Sequence, residues 1–182
     1  MEPGVQAAVD VAIDVIRLFV AEVREAELPM PDLGALIDAD AYAFHASHLA
    51  EAPERYDPRT RSTIFSGQGI SETESTRLRL GLERHRARVH EATSSVDLVV
   101  LPTLPGLPLT IREATEPFAL PVCTFAFSIG GLPSISVPCG VSHSGIPIGL
   151  LIGGPPLSES RVLALAQAYE RTGDWHRRRP TF

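Results

Sequence analysis

Residues 130–154 constrain the fold most tightly. Gly130-Gly131-Leu132-Pro133 reads as a turn, followed by a short apolar strand from Ser134 to Val137 that closes on Pro138-Cys139-Gly140. After a loop containing Ser144-Gly145, a second apolar strand runs from Ile146 to Ile152. Glycine admits tight turns and close backbone approach, and proline cannot donate to a strand ladder, so this punctuation belongs to β-structure. The runs 134–137 and 147–152 are predicted to pair as an antiparallel hairpin.

The chain holds 14 glycines and 16 prolines, and they crowd residues 102–156 while leaving 5–26 and 71–96 nearly clear. That divides the sequence into a helical front and a strand-and-loop back. In 5–26, Val5, Val9, Ala12, Ile13, Ile16, Phe19, Val20 and Val23 fall at the three-four spacing of one helix face. Residues 39–51 are predicted as a second helix with Ala43, Phe44 and Leu49 inward. Asp57-Pro58 is a helix start, an N-cap acceptor before a first-turn proline, for a short helix closing at Gly67. Ser71 and Glu74 form a capping box for a longer helix with Leu78, Leu82, His85 and Val89 on one stripe. Asp97 to Leu101 reads as a buried strand ending in Pro102-Thr103, and 104–128 as a long Pro-rich loop, a kind that is often functional. Ser158 is placed to cap a final helix, with Val162, Leu165, Ala166 and Tyr169 inward and Gly173 closing it. The fold class is α/β, a mixed sheet flanked by helices, in a single domain over 1–182.

Charge narrows the partners. A net charge of −6 argues against nucleic acid, which requires a basic face. The arginines of 77–88 then read as a solvated helix face. No apolar run approaches the ~20 residues of a membrane helix. Two cysteines, Cys123 and Cys139, make no disulfide framework and suit a reducing, cytoplasmic setting.

The segment from Gly131 to Gly149 resembles the amidase signature family. Its Gly-x-Pro-x-(Ile/Leu)-(Ser/Thr)-(Val/Leu)-Pro-x-Gly strand matches Gly131 to Gly140, and its Gly-(Leu/Ile)-Pro-(Val/Ile)-Gly strand matches Gly145 to Gly149. Asp97 to Thr103, Asp40-Ala41 with His45, Leu28-Pro29 and the terminal Trp175-His176 extend the likeness over nearly the whole chain. The resemblance implies the C-terminal portion of that fold and amide C–N hydrolysis, which needs no cofactor. It also implies a Ser–cis-Ser–Lys triad with a Gly-rich oxyanion loop. Neither is here: all 16 basic residues are arginine, there is no lysine, and no Gly-Gly-Ser-Ser-Gly-Gly stretch occurs. Guanidinium does not deprotonate in a protein, so arginine cannot serve as the base.

Candidate residues follow. The catalytic set in this chain is expected to be empty. The resemblance implies that the turn over 124–133 walls the acyl pocket, with Phe125, Phe127, Ser128, Ile129, Gly130 and Gly131 binding substrate. The competing reading is that the aromatics fill the core. Ser128 stands where the family commonly has Asn. Amidotransferase members carry an acidic residue shortly before the matched Thr124, and Leu120-Pro121-Val122 at that place implies no glutamine-specific, tRNA-linked role. His45 and His48 lack a third ligand at a metal spacing. Neither cysteine has a neighbouring base to activate it. The expected partners are an N-terminal amidase half, or self-association through an exposed sheet edge, and a small-molecule amide once the site is complete. Alternatives are a non-catalytic binding protein on a degenerate amidase scaffold, or a hydrolase using Ser128 or Cys139 as nucleophile.

Overall fold

A computed structural model describes residues 1–30, 34–113 and 123–179. Its contacts group into two compact units, Met1–Met30 with Arg88–Phe182, and Pro31–Ala87.

The first unit is built on a sheet of three strands, β1 (Val99–Pro102), β2 (Ser134–Val141) and β3 (Pro147–Gly153), in the order β1-β3-β2. Both neighbouring pairs are antiparallel. The hairpin forms as the sequence predicts, with β2 running further, to Val141. Gly145 turns it at φ 80°, and Ser142 closes the loop by accepting from the Ile146 amide, 3.1 Å. The register shifts between Pro138 and Gly140, leaving Cys139 as the extra residue of a bulge. A proline without an amide proton is tolerated at such a place on an edge strand.

One sheet face packs against α1 (Pro3–Ile16) and α6 (Glu159–Glu170). Val5, Val9, Ala12 and Ile16 meet Val137, Cys139, Ile148, Leu150 and Ile152, and Val162, Leu165, Ala166 and Tyr169 complete the cluster. Gly140 lets α1 come close, since a Cβ there would lie 3.0 Å from Ala8. The periodicity over 5–26 predicts a longer helix than α1. The last turn tightens instead: Leu18 and Phe19 donate to Val15 and Ile16, three residues back rather than four. That change of period turns Phe19 off the stripe, leaving it 46% exposed, while Val20 packs on the core. Ser158 precedes α6, but its hydroxyl donates to the Pro155 carbonyl, 2.6 Å, rather than capping the helix.

The opposite face packs against α5 (Phe125–Gly130) and the C-terminal part of α4 (Glu72–Ser94). Val89, Ala126, Phe127, Leu132 and Leu151 form this second cluster, with Leu28, Val99 and Leu101 against it.

The second unit holds α2 (Gly34–Glu51), α3 (Pro58–Phe65) and the start of α4. Asp57 caps α3, accepting from the Arg59 and Thr60 amides at 2.9 and 3.3 Å. Helix α2 begins earlier than predicted and buries Leu36 and Leu49, whereas Phe44 stands 71% exposed. Ala43, also predicted inward, is exposed too, and the inward stripe passes on either side of the two, through half-buried Tyr42 and His45. Gly67 permits the close approach of the Ser66–Gly69 turn to α2, because a Cβ there would collide with the Asp38 carbonyl. Only half of the predicted capping box forms: Ser71 Oγ accepts from the Glu74 amide, 3.2 Å, while the Glu74 carboxylate turns to Arg77. That hydrogen bond holds its carboxyl below the ordinary value. Among the described residues no helix is long and apolar enough to cross a membrane.

Candidate functional site

The predicted turn is a short helix with a glycine stop. Thr124 precedes α5, and Gly131 ends it in the left-handed region at φ 66°, with the Leu132 amide returning to the Phe127 carbonyl, 2.9 Å. The Gly130 carbonyl lies 2.8 Å from His90 Nε2 of α4. A carbonyl only accepts, so this ring nitrogen carries the proton.

The six predicted residues divide by burial. Phe127 and Gly130 are buried, Phe125 and Ile129 half-buried, Ser128 and Gly131 exposed. Phe127 has 0% exposure and its ring fills the space where a Cβ on Gly153 would stand. It touches no solvent in this chain, so its part in a pocket is to hold α5 against β3. The exposed rim of the turn is Ser128 and Gly131.

At the end of the sheet lies a cleft of about 310 Å³, lined by Thr103, Ser136 and Gly149 from the α5 face and by Val5, Leu107 and Ile148 from the α1 face, among others. Its polar floor is a hydroxyl pair, Thr103 Oγ1 and Ser136 Oγ at 2.6 Å. Gly149 makes room for both, since a Cβ there would sit 2.7 Å from the Thr103 hydroxyl and 2.8 Å from that of Ser136. Gly149, Leu151 and Gly153 share one face of β3 by strand alternation. The hydroxyl pair and the α5 turn therefore stand at two ends of one face, separated by four residues or about 13 Å. The sequence marks Pro102-Thr103 as a strand end and Ser136 and Gly149 as strand residues, without joining the three in a site. The available signals were a glycine inside an apolar strand, which marks close approach, and the alternation of Ser134 and Ser136 opposite Val137.

The other candidates occupy structural places. Cys139 is buried in the bulge, and burial pushes its thiol from 9.0 to about 11. Burial also raises Cys123. A thiol held protonated is a poor nucleophile. His45 Nδ1 lies 3.0 Å from the Tyr56 hydroxyl, and its ring meets Phe44 and Tyr56 edge-on. Among the described residues no three His, Cys, Asp or Glu side chains group as a metal site. Leu120-Pro121-Val122 lies outside the described residues.

The comparisons with known proteins bear on the family and the fold. A glutamyl-tRNA(Gln) amidotransferase subunit from Chloroflexus aggregans is 32% identical over 216 residues, covering 99% of this chain and 43% of its own. An amidase of Pseudomonas putida is 30% identical over 199 residues, covering 99% of this chain and 42% of its own. A crystal structure of an amidase superposes with a TM-score of 0.78 at 26% identity, over 92% of this chain and 42% of its own. The structure of 6-aminohexanoate cyclic dimer hydrolase shares the fold, with a TM-score of 0.80 at 19% identity over 100% of this chain and 44% of its own. The chain thus spans about 43% of the length of the first of these curated relatives. The Amidase family model matches residues 1–163, and the chain belongs to the amidase family.

Proposed function

We propose that this chain is the pocket-wall and sheet-closing portion of an amidase-family hydrolase that cleaves amide C–N bonds. Both compact units belong, in this reading, to one amidase domain. The observation that carries it is the pairing of family membership over 1–163 with a sequence that contains no lysine. The chain supplies a fold but no base that could deprotonate a serine by the family's route. Nucleophile, relay serine, lysine and oxyanion loop come from the remainder of an amidase. Ser128 and Gly131, the exposed rim of the α5 turn, and the Thr103–Ser136 cleft face the substrate, a small molecule carrying an amide, while Phe125, Phe127, Ile129 and Gly130 hold that rim in place; the apolar lining of the cleft suits an apolar acyl part. The setting is cytoplasmic, in keeping with two free thiols.

The test is turnover of simple amides, read as released ammonia or amine. The purified chain alone gives no release above buffer. Mixing it with the part of the Pseudomonas putida amidase that it does not match gives release. Release by the chain alone that Ser128→Ala or Cys139→Ala abolishes would replace this reading with a hydrolase built on new residues.

A further inference from the structure

We infer that His90 is the positioning residue of the substrate-facing rim: its Nε2–H clamps the Gly130 carbonyl and so sets where Ser128 and Gly131 stand. The inference rests on the amidase reading above and adds a residue to the same site.

The rim needs a hold from outside. Helix α5 has six residues, too few to be stable through its own hydrogen bonds. The Thr124 carbonyl accepts from the Phe127 and Ser128 amides at 3.2 and 3.0 Å, and the Phe127 carbonyl from the Leu132 amide at 2.9 Å. The last carbonyls of a helix have no partner within it, and the left-handed Gly131 turns the chain away directly after Gly130. Gly130 is buried, so its carbonyl requires a donor from another element.

That donor comes from α4. His90 Nε2 lies 2.8 Å from the Gly130 oxygen, across 40 positions of sequence. The residue before it closes on the same glycine: Val89 Cγ1 lies 3.3 Å from where a Cβ on Gly130 would stand. Val89 and Thr93 are fully buried. Thr93 Oγ1 donates to the Val89 carbonyl at 3.0 Å, with the His90 carbonyl at 3.2 Å. The imidazole is therefore presented from a helix turn that is itself anchored.

On the sheet side the hold is Phe127, whose ring is fitted over Gly153. Packing fixes how close α5 lies to β3, and the directional bond from His90 fixes its rotation about its own axis. Ser128 lies between these two holds and Gly131 just past the second, so both exposed residues keep a set position on the rim. A rim of this kind touches the substrate in the ground state and in the transition state alike. Displacing it raises KM and leaves kcat unchanged.

The experiment compares His90→Leu, which removes the donor, with His90→Gln, whose amide nitrogen donates in place of Nε2. The first arm is hydrogen–deuterium exchange on the full chain. In His90→Leu the Ser128 and Leu132 amides are expected to exchange about tenfold faster, the size of one lost hydrogen bond, while β3 amides stay protected. His90→Gln restores the exchange of the unaltered chain. Should β3 amides lose protection in His90→Leu, His90→Asn takes its place, a polar side chain too short to reach the carbonyl. Unchanged exchange without the donor, or no recovery in His90→Gln, overturns the clamp. The second arm is benzamide turnover by the chain mixed with the unmatched part of the Pseudomonas putida amidase. The loss of the donor is expected to raise KM about tenfold at unchanged kcat, with recovery in His90→Gln. Unchanged kinetics, or a fall in kcat at unchanged KM, overturns the assignment of His90 to the rim. Absence of turnover in the unaltered mixture overturns the hydrolase reading, and the exchange arm then decides the clamp by itself.

Discussion

The Phe127 ring stands where a side chain on Gly153 would begin, so the helix under the candidate turn and the central strand are fitted to one another at these two residues. Phe127→Ala empties a fully buried site and is expected to cost about 3–5 kcal/mol. Gly153→Ala overpacks the same site and is expected to cost about 1–3 kcal/mol. Phe127→Leu combined with Gly153→Ala should recover part of the second loss, because the added methyl enters the space that the ring gives up. Urea unfolding of the wild type, Phe127→Leu, Gly153→Ala and the double variant closes the cycle, with Phe127→Ala measured beside it. Additive losses in the double variant would show that the residues do not share a space.

Stability is expected to fall at alkaline pH. Burial raises Cys139 to about 11 and Tyr169 to about 12, the latter also opposed by a charge on Cys139. The ordinary values are 9.0 and 10.0. Between these values and the raised ones, the unfolded chain releases protons that the folded chain keeps. The stability is complete below pH 9 and is lost as pH rises toward about 12, by at most ~1.4 kcal/mol per pH unit for each group. Cys139→Ala should flatten the first part of that fall. An unchanged profile in that variant would remove the thiol as its cause.

In the second unit, Asp57→Ala removes an N-cap that accepts from two amides and is expected to cost about 1 kcal/mol. Asp57→Ser keeps an acceptor and should cost less. Thermal unfolding of the two variants distinguishes a cap from a charge effect.

Leu157 has φ 61° and is 89% exposed, a left-handed conformation that a branched side chain adopts at a cost and without burial in return. Leu157→Gly is expected to stabilise the chain by about 0.5–1 kcal/mol, the relieved strain exceeding the added freedom of the unfolded state. A loss of stability would mean that the leucine packs in solution.

Much of the fold was legible because its signals are local. The Gly and Pro punctuation gave the hairpin and its turn, Asp57-Pro58 gave a cap, and the stripe Val162, Leu165, Ala166, Tyr169 is buried as spaced. What failed was the exact facing of single residues. Phe19 left its stripe through a 3₁₀ turn, whereas in α2 Ala43 and Phe44 lie off the inward stripe that runs through Tyr42, His45 and Leu49. The α5 turn was found, but not the division between buried Phe127 and exposed Ser128. Sequence spacing cannot tell which side of a six-residue helix meets a strand 26 positions away. The Thr103–Ser136 pair was hidden for the same reason: its members are 33 residues apart and meet only through the sheet register.

The most direct test of the central claim, that an amidase triad reaches this fold from sequence outside these 182 residues, is the intact mass and peptide map of the native protein isolated from its source cells with whatever binds it. The account predicts lysine-containing amidase sequence, joined to this chain in one polypeptide or held to it as a second one. A native species of 19.6 kDa that carries no such sequence and no such partner, yet hydrolyses amides, would contradict it.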